Sequence, residues 1–158
     1  MANNVDNMLT FFAPEGSAFQ VDLALRAIAK EIRRDRFDLG EWRVRLGPAC
    51  NWHFISPWGP AETLQDNLTL RLAEVDPAIV VLNRWIEEFD QMPFARVTTM
   101  KGLLRVSDFE LDIDDSIYYD LTVDELGWDD FKGLVAIDGR DHFAVAKKAK
   151  PSTKFRMH

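Results

Sequence analysis

The sequence predicts one α+β domain of the ferredoxin-like, split βαβ type, with helices on one face of a mainly antiparallel sheet. Its 158 residues suit a single domain, and 47% of them are hydrophobic, which is enough to form a core. Two segments repeat apolar residues at helical spacing, and a short apolar run of strand length precedes each of them. Beyond residue 79 several segments follow strand patterns in succession, which favours an α+β layout. We assign residues 1–146 to the domain and expect 147–158 to form a flexible basic tail.

The first strand and helix are predicted close to the start of the chain. The run "MLTFFA" (8–13) is apolar and is followed by Pro14, so we expect a buried strand. Ser17 and Gln20 have the spacing of a capping box and mark the start of a helix that is expected to end near Asp35. Its apolar positions are Val21, Leu25, Ile28 and Ile32, and its polar positions, expected on the opposite side, are Asp22, Arg26, Lys30 and Arg33.

The next segment predicts further strands and a second helix. Residues 42–47 alternate apolar and basic side chains, and residues 51–56 form another apolar run, so both are expected to be strands. Pro60 stands where a first helical turn tolerates proline. The apolar stripe of this helix is Leu64, Leu68, Leu72 and Val75, and Asp76-Pro77 ends it.

The second half of the chain is predicted to be mostly strand. Residues 79–89 match both strand and helix spacing, and we favour a strand because of the Ile-Val-Val start and the prolines that flank the segment. Residues 95–106 and 109–113 also follow strand patterns. Thr122 and Glu125 indicate a short capped helix or turn, and a final hairpin is expected around Gly139-Arg140.

Composition limits the function classes. The net charge of −7 argues against general nucleic-acid binding, which usually needs a basic face. The single cysteine, Cys50, excludes an intramolecular disulfide and suits a reducing compartment. No signal peptide is visible and no apolar run reaches the roughly 18 residues of a membrane span. We therefore expect a soluble cytoplasmic protein.

Two stretches carry a resemblance to a known family. They are "NNVDNMLTFFAPEG" at the start of the chain and "HFISPWGPAETLQDNLTLRLAEVDP" from His53 onward. Both are similar to the YubB-type ferredoxin-like domains carried by plasmids and phages, although Val5-Asp6 stands where that family usually has Trp-Cys. The resemblance implies a ferredoxin-like fold and a mobile-element context, and it implies no site residue.

Residues 108–130, called the acidic segment below, contain ten acids and no Lys, Arg or His. A strand here would place Glu110, Asp112 and Asp114 on one face about 7 Å apart, close to the phosphate spacing along a DNA strand. Such a surface could occupy a basic groove with aromatic anchors, or it could be a solvated strand edge that prevents aggregation. The predicted partner-binding residues are Glu110, Asp112, Asp114, Asp115, Tyr118, Tyr119, Asp120, Asp124, Glu125, Trp128, Asp129 and Asp130.

Familiar metal and catalytic motifs do not fit. Oxygen-bearing side chains alternate as in an EF-hand loop at Asp112, Asp114, Ser116, Tyr118 and Asp120. However, Ile117 stands where that loop needs Gly, and Val123 stands where it needs Glu. Cys50 and His53 supply only one pair of zinc ligands. The sequence contains no Gly-rich phosphate loop and no nucleophile elbow. We therefore predict no metal, no cofactor and no catalytic residue.

These observations predict a phage or mobile-element protein that binds and inhibits a host nucleic-acid-handling or defence complex, such as a CRISPR effector. Its partner would present a basic surface, with no membrane and no direct nucleic-acid contact, and a homodimer stays open. Two alternatives remain. One is a small enzyme that acts on a nucleotide-like substrate through His53 and nearby acids. The other is a nucleic-acid-binding module that uses the 33–45 arginine cluster, which comprises Arg33, Arg34, Arg36, Arg43 and Arg45.

Overall fold

The computed structural model describes residues 4–34, 52–89, 93–100, 105–110 and 127–137. The strands are β1 (Asn4–Pro14), β2 (His53–Pro57), β3 (Val80–Glu87), β4 (Pro93–Thr99), β5 (Arg105–Glu110) and β6 (Leu134–Ile137), and the helices are α1 (Ala18–Arg33) and α2 (Glu62–Ala73). The described residues also include the 3₁₀ helices Glu15–Ser17 and Asp129–Phe131. The strand favoured for 79–89 is confirmed, and the strand pattern of 95–106 divides between β4 and β5.

The strands form one antiparallel sheet in the order β2-β1-β3-β4-β5. Strand β1 has β3 along one side, and β2 and β6 share its other side. β2 pairs with the first half of β1, where Val5 faces Ser56, whereas β6 pairs with the last residues, where Phe11 faces Ile137. Strand β1 therefore pairs with three strands, and its two ends have different neighbours on one side.

The predicted α+β fold with a split βαβ unit is confirmed. Strands β2 and β3 both run antiparallel to β1, so they are parallel to each other with β1 between them. Helix α2 makes the connection from β2 to β3, which is the split crossover of ferredoxin-like folds. Among the described helices, none is long and apolar enough to cross a membrane.

Both helices pack on one face of the sheet, called the helix face. Alternate residues of β1, such as Leu9 and Phe11, point to this face and join the apolar stripes of α1 and α2 in one core. Three of the four leucines of α2, Leu64, Leu68 and Leu72, are completely buried there. Burial of each stabilises the fold by about 1.5–3 kcal/mol. Val75 of the predicted stripe lies past the helix end and is 40% exposed.

The opposite face of the sheet, called the second face, has a smaller core. Phe12 of β1 points to this side and is completely buried. Phe131 of the second 3₁₀ helix covers it, with ring centroids 4.7 Å apart in an edge-to-face arrangement. Val80, Leu82, Ala95 and Val97 complete this cluster.

Two details of helix α1 differ from the sequence prediction. The helix begins after Ser17 as expected, but the Ser17 side chain makes no cap. Its hydroxyl instead bonds Asp76 Oδ2 at 2.8 Å and Pro14 O at 3.2 Å, so a tertiary partner replaces the local one. Asp22, expected on the solvent side, is completely buried and forms an ion pair with Arg26 at 2.9 Å. Burial of a carboxylate is tolerable when a cation neutralises it.

Candidate functional site

The structure describes the two ends of the acidic segment. Glu110 is the last residue of β5, in register with Phe94 of β4, and its side chain lies outside the described part. Trp128, Asp129 and Asp130 lie at the second 3₁₀ helix. The other predicted contact residues, Asp112, Asp114, Asp115, Tyr118, Tyr119, Asp120, Asp124 and Glu125, fall outside the described residues.

At its C-terminal end, the segment combines a packed aromatic ring with surface acids. Trp128 is half-buried, and its ring lies 5.4 Å from that of the buried Phe131. The Phe131 amide donates a hydrogen bond to the Trp128 carbonyl at 3.0 Å, which holds the turn. Asp129 is exposed and Asp130 is half-buried. The core thus fixes Trp128 while Asp129 faces solvent beside it.

An open cavity of about 540 Å³ lies next to this turn. Two glycines with left-handed backbone, Gly127 (φ 60°) and Gly133 (φ 78°), bend the chain around it. Its lining mixes acidic, basic and aromatic side chains: Glu15, Trp128, Asp129, Phe131, Lys132, Leu134 and Val135. The cavity connects the end of the acidic segment to the end of β1.

A histidine–aspartate pair lies on the second face, near the start of β1. His53 is the first residue of β2, and its Nε2 lies 3.7 Å from Asp6 Oδ1. The two side chains are 43% and 34% exposed, so water reaches both. A carboxylate that orients an imidazole is an arrangement that acid–base chemistry uses. Among the described residues no group of three or more His, Cys, Asp or Glu could hold a metal ion.

A buried amide network crosses the helix face, and the sequence prediction missed it. Asn7, completely buried in β1, donates to Ser56 Oγ at 2.9 Å and to Val5 O at 3.1 Å. Its Oδ1 accepts the Ala61 amide at 3.2 Å and Asn83 Nδ2 at 2.9 Å. The sequence did contain one indication of this network, because Asn7 is a polar residue next to the apolar run of β1. These bonds tie β1 to β2, β3 and the start of α2.

A buried arginine of β4 lies beside this network, in register with Asn83. Arg96 is 4% exposed and faces Asn83 across the β3–β4 pairing. Its guanidinium donates to Asp66 Oδ1 at 2.9 Å and to Gln65 Oε1 at 3.0 Å. Glu62 Oε2 lies 3.4 Å from its Nε. The positive charge is neutralised by α2, so it serves to dock that helix on the sheet.

The turn between β2 and α2 exposes a tryptophan. Ser56 Oγ donates a hydrogen bond to the Gly59 carbonyl at 2.6 Å, which closes the turn. The same Oγ accepts the hydrogen bond from Asn7, so the buried network holds this turn in place. Trp58, between these two residues, has φ 68° and is 67% exposed. Left-handed backbone is unusual for a bulky residue. In the sequence analysis Trp58 occurs only within the second stretch that resembles the YubB-type domains, and no role was predicted for it.

A second aromatic residue emerges close to Trp58. Pro57 pairs with Asn4, and the Glu88 amide donates to the Asn4 carbonyl at 2.8 Å on the other side of β1. Pro57 and Glu88, which directly precede Trp58 and Phe89, therefore lie on either side of β1. Two strand spacings separate their backbones, which is about 10 Å. Phe89 is 68% exposed. Two aromatic rings thus lie in solvent at the end of the sheet where β1 begins.

The arginine cluster is only partly described. Arg33 is the last residue of α1, and Arg34 follows it with an exposed side chain. Arg36, Arg43 and Arg45 lie outside the described residues, as do Cys50 and the tail. The nucleic-acid alternative stays a prediction.

Comparison of the chain with protein-family models, with curated proteins and with solved structures finds no match. The resemblance of its two stretches to the YubB-type domains therefore stays a prediction.

Proposed function

We propose that the protein is an interaction protein of a phage or other mobile element. It binds a host nucleic-acid-handling or defence complex, such as a CRISPR effector, and inhibits it by occupying a basic surface. The acidic segment supplies the contact. The negative field of its ten acids attracts the basic partner, and aromatic side chains provide the apolar part of the interface.

The observation that supports this proposal is the arrangement of Trp128 and Asp129. Half-buried against Phe131, Trp128 is held in place before any partner arrives, so it loses little conformational freedom on binding. Asp129 is exposed next to it, and both line the open cavity of about 540 Å³. The ring and the carboxylate each attract a cation, so we expect a basic side chain of the partner to bind in this cavity.

An affinity pull-down from bacterial lysate, with and without nuclease and at two salt concentrations, tests the proposal. We expect one protein complex with a basic surface, retained after nuclease treatment and weakened by salt. Recovery of nucleic acid alone would move the function to the arginine cluster, and recovery of nothing would refute the interaction.

Charge-neutralising variants then locate the contact. Replacement of Asp112, Asp114, Asp129 and Asp130 by Asn should abolish capture of the complex while the thermal unfolding temperature stays unchanged. Asp129→Asn and Glu74→Gln form a matched pair, because each removes one exposed carboxylate. Only the first should weaken binding. If both variants weakened binding equally, the net charge of the protein would explain the binding and the acidic segment would not be the contact.

A second candidate is an enzyme that acts on a nucleotide-like substrate, and the 3.7 Å contact of His53 with Asp6 favours it. Asp6 would orient one ring nitrogen and leave the other to exchange a proton with substrate. The test is incubation with linear and cyclic nucleotides, with product separated by chromatography. Turnover that is lost in His53→Gln and kept in Leu70→Ala supports this candidate, and absence of turnover in the unaltered protein eliminates it.

A further inference from the structure

We propose that the open cavity beside the second 3₁₀ helix binds an arginine side chain of the partner, and that Glu15 is a contact residue for its guanidinium group. The cavity is the one of about 540 Å³ that Trp128 and Asp129 line, and it is called the Glu15 cavity below. Because the inference names the side chain that the basic partner contributes, it rests on the proposed function. It adds to that proposal a carboxylate from outside the acidic segment.

The pairing of β1 with β6 brings Glu15 to this cavity. Pro14, the last residue of β1, pairs with Leu134, the first residue of β6. Glu15 directly follows Pro14, and Lys132 and Gly133 directly precede Leu134, so these residues lie at the same end of the ladder. A Cβ added at Gly133 would meet no atom of a described residue within 4 Å, apart from its chain neighbours. The cavity therefore joins two parts of the chain that are far apart in sequence.

The charged residues of the cavity lining are Glu15, Asp129 and Lys132, and all three are exposed. Among the ion pairs that join described residues, none includes any of these three. Two carboxylates against one ammonium make the cavity net negative. It therefore attracts a cation and repels the phosphates of a nucleic acid.

Another part of the cavity lining is apolar. Trp128 and Leu134 pack against the second-face core, and the buried Phe131 belongs to that core. The ring of Trp128 is already held against Phe131, with centroids 5.4 Å apart, so an arriving side chain does not have to order it. A ligand that combines a flat apolar surface with a positive charge would use both parts of the lining.

Arginine has this combination. Its planar guanidinium stacks on an indole ring, and its several N–H groups can bond two carboxylates at once. The lysine ammonium is a compact, strongly hydrated charge and gains less from the ring. Small-molecule sites bury most of the ligand surface, whereas this cavity is open, which suits a side chain that projects from a protein surface. Lys132 repels a second cation, so we expect one arginine in the cavity.

A short peptide with one arginine between glycines, blocked at both ends, is the probe. Its controls carry lysine or the neutral citrulline in place of arginine. Binding is followed by NMR through the indole N–H signal of Trp128, which is identified by its loss in Trp128→Phe. We expect the arginine peptide to shift this signal in a saturable manner that salt weakens. The lysine peptide should bind more weakly, and the citrulline peptide should leave the signal unchanged.

Two charge variants should change this affinity in opposite directions. Glu15→Gln removes an attractive carboxylate and should weaken binding about threefold, whereas Lys132→Gln removes a repulsive ammonium and should strengthen it about twofold. Glu74→Gln and Lys30→Gln are the matched controls, because each removes an exposed charge of the same sign away from the cavity lining. Both controls should bind the peptide as the unaltered protein does. Because all four side chains are exposed, none of these changes should lower the thermal unfolding temperature.

Capture of the partner from lysate separates failure of this inference from failure of the proposed function. If Asp129→Asn loses the complex while Glu15→Gln captures it as the unaltered protein does, the acidic segment is the contact and the role of Glu15 is refuted. If the unaltered protein captures no complex but binds the arginine peptide in a Glu15-dependent manner, the proposed function fails and the assignment of the cavity to arginine stands.

Several results with the peptides would overturn the inference. Equal binding of the arginine and citrulline peptides would remove the role of charge, and tighter binding of the lysine peptide would remove the preference for a guanidinium. An unchanged affinity in Glu15→Gln would remove Glu15 from the site. Free arginine has a carboxylate that can contact Lys132, so tighter binding of free arginine than of the blocked peptide would assign the cavity to a small molecule.

Discussion

Where β1 begins, Trp58 and Phe89 lie in solvent, whereas where β1 ends, Trp128 and Phe131 pack on Phe12. The two ends thus use the same residue types for different purposes. At the first end a polar network holds the chain in place, and the two aromatic side chains are each exposed by about two thirds. At the second end the rings themselves hold the chain in place. The difference teaches that the supporting interactions around an aromatic residue, more than its identity, indicate whether it belongs to the core.

The largest expected difference between the ends is in stability. Phe131→Ala should lower the free energy of unfolding by about 3–5 kcal/mol, because it leaves a cavity against Phe12. Phe89→Ala removes the same ring from a position that is 68% exposed and should change stability by less than about 0.5 kcal/mol. Urea unfolding followed by circular dichroism measures both. If both variants lost a similar unfolding free energy, the aromatic residues at the two ends of β1 would have the same structural role.

The buried amide of Asn7 should have the next largest effect. Asn7→Ala removes hydrogen bonds to β2, β3 and the start of α2, and should lower the free energy of unfolding by about 2–3 kcal/mol. It should also shift the NMR signal of the Trp58 indole, since Ser56 then loses its partner. Asn4→Ala, at an exposed asparagine of the same strand, is the control and should do neither. An unmoved Trp58 signal in a folded Asn7→Ala protein would show that the network does not position the turn.

The backbone of Trp58 provides a smaller effect of the opposite sign. Trp58→Gly should raise the free energy of unfolding by about 0.5–1 kcal/mol, since the strain of left-handed backbone exceeds the entropy that glycine loses on folding. Trp58→Ala retains a Cβ and therefore the strain, so it should show no such gain. Thermal unfolding of the two variants under the same conditions measures the difference. A Trp58→Gly protein that is less stable than Trp58→Ala would contradict the explanation by backbone strain.

An ion pair between the two helices, away from both ends of β1, should contribute less to stability than the changes above. Glu31 of α1 and Arg71 of α2 form a two-point ion pair, with N–O distances of 3.2 and 2.6 Å. Because both side chains are partly exposed, a double-mutant cycle with Glu31→Gln and Arg71→Gln should give only about 0.5 kcal/mol. A coupling as large as the Phe131 effect would mean that helix–helix pairing rivals the second-face core.

The same pair carries a pH dependence. The hydrogen bond from Arg71 lowers the pKa of Glu31 below its ordinary value of 4.5, and the carboxylate in turn raises the pKa of Arg71. A carboxyl whose folded pKa is lowered contributes its stability above the unfolded pKa and loses it as pH falls through the folded pKa. The coupling in the double-mutant cycle should therefore be present at neutral pH and be lost in acid, as pH falls through the lowered pKa of folded Glu31.

Periodicity predicted most of the fold because burial on one face leaves a direct pattern in the chain. The three buried α2 leucines and the strand at 80–87 are examples. The prediction failed for Ser17 and Asp22, whose partners were decided by tertiary contacts and by burial that a local pattern does not contain. For the candidate sites, composition alone drew attention to the acidic segment. The exposure of Trp58 could not be predicted, since it follows from a left-handed turn held by Asn7, far away in the sequence.

The pairing of β1 with β6 has a consequence for how the protein is made. Phe11 to Pro14 are translated well before their partners, Leu134 to Ile137. A nascent chain can form the β1–β2 and β1–β3 ladders first, while this part of β1 keeps one edge open and Phe12 lacks the cover of Phe131. Long-range closure of this kind slows folding and exposes apolar surface to aggregation meanwhile.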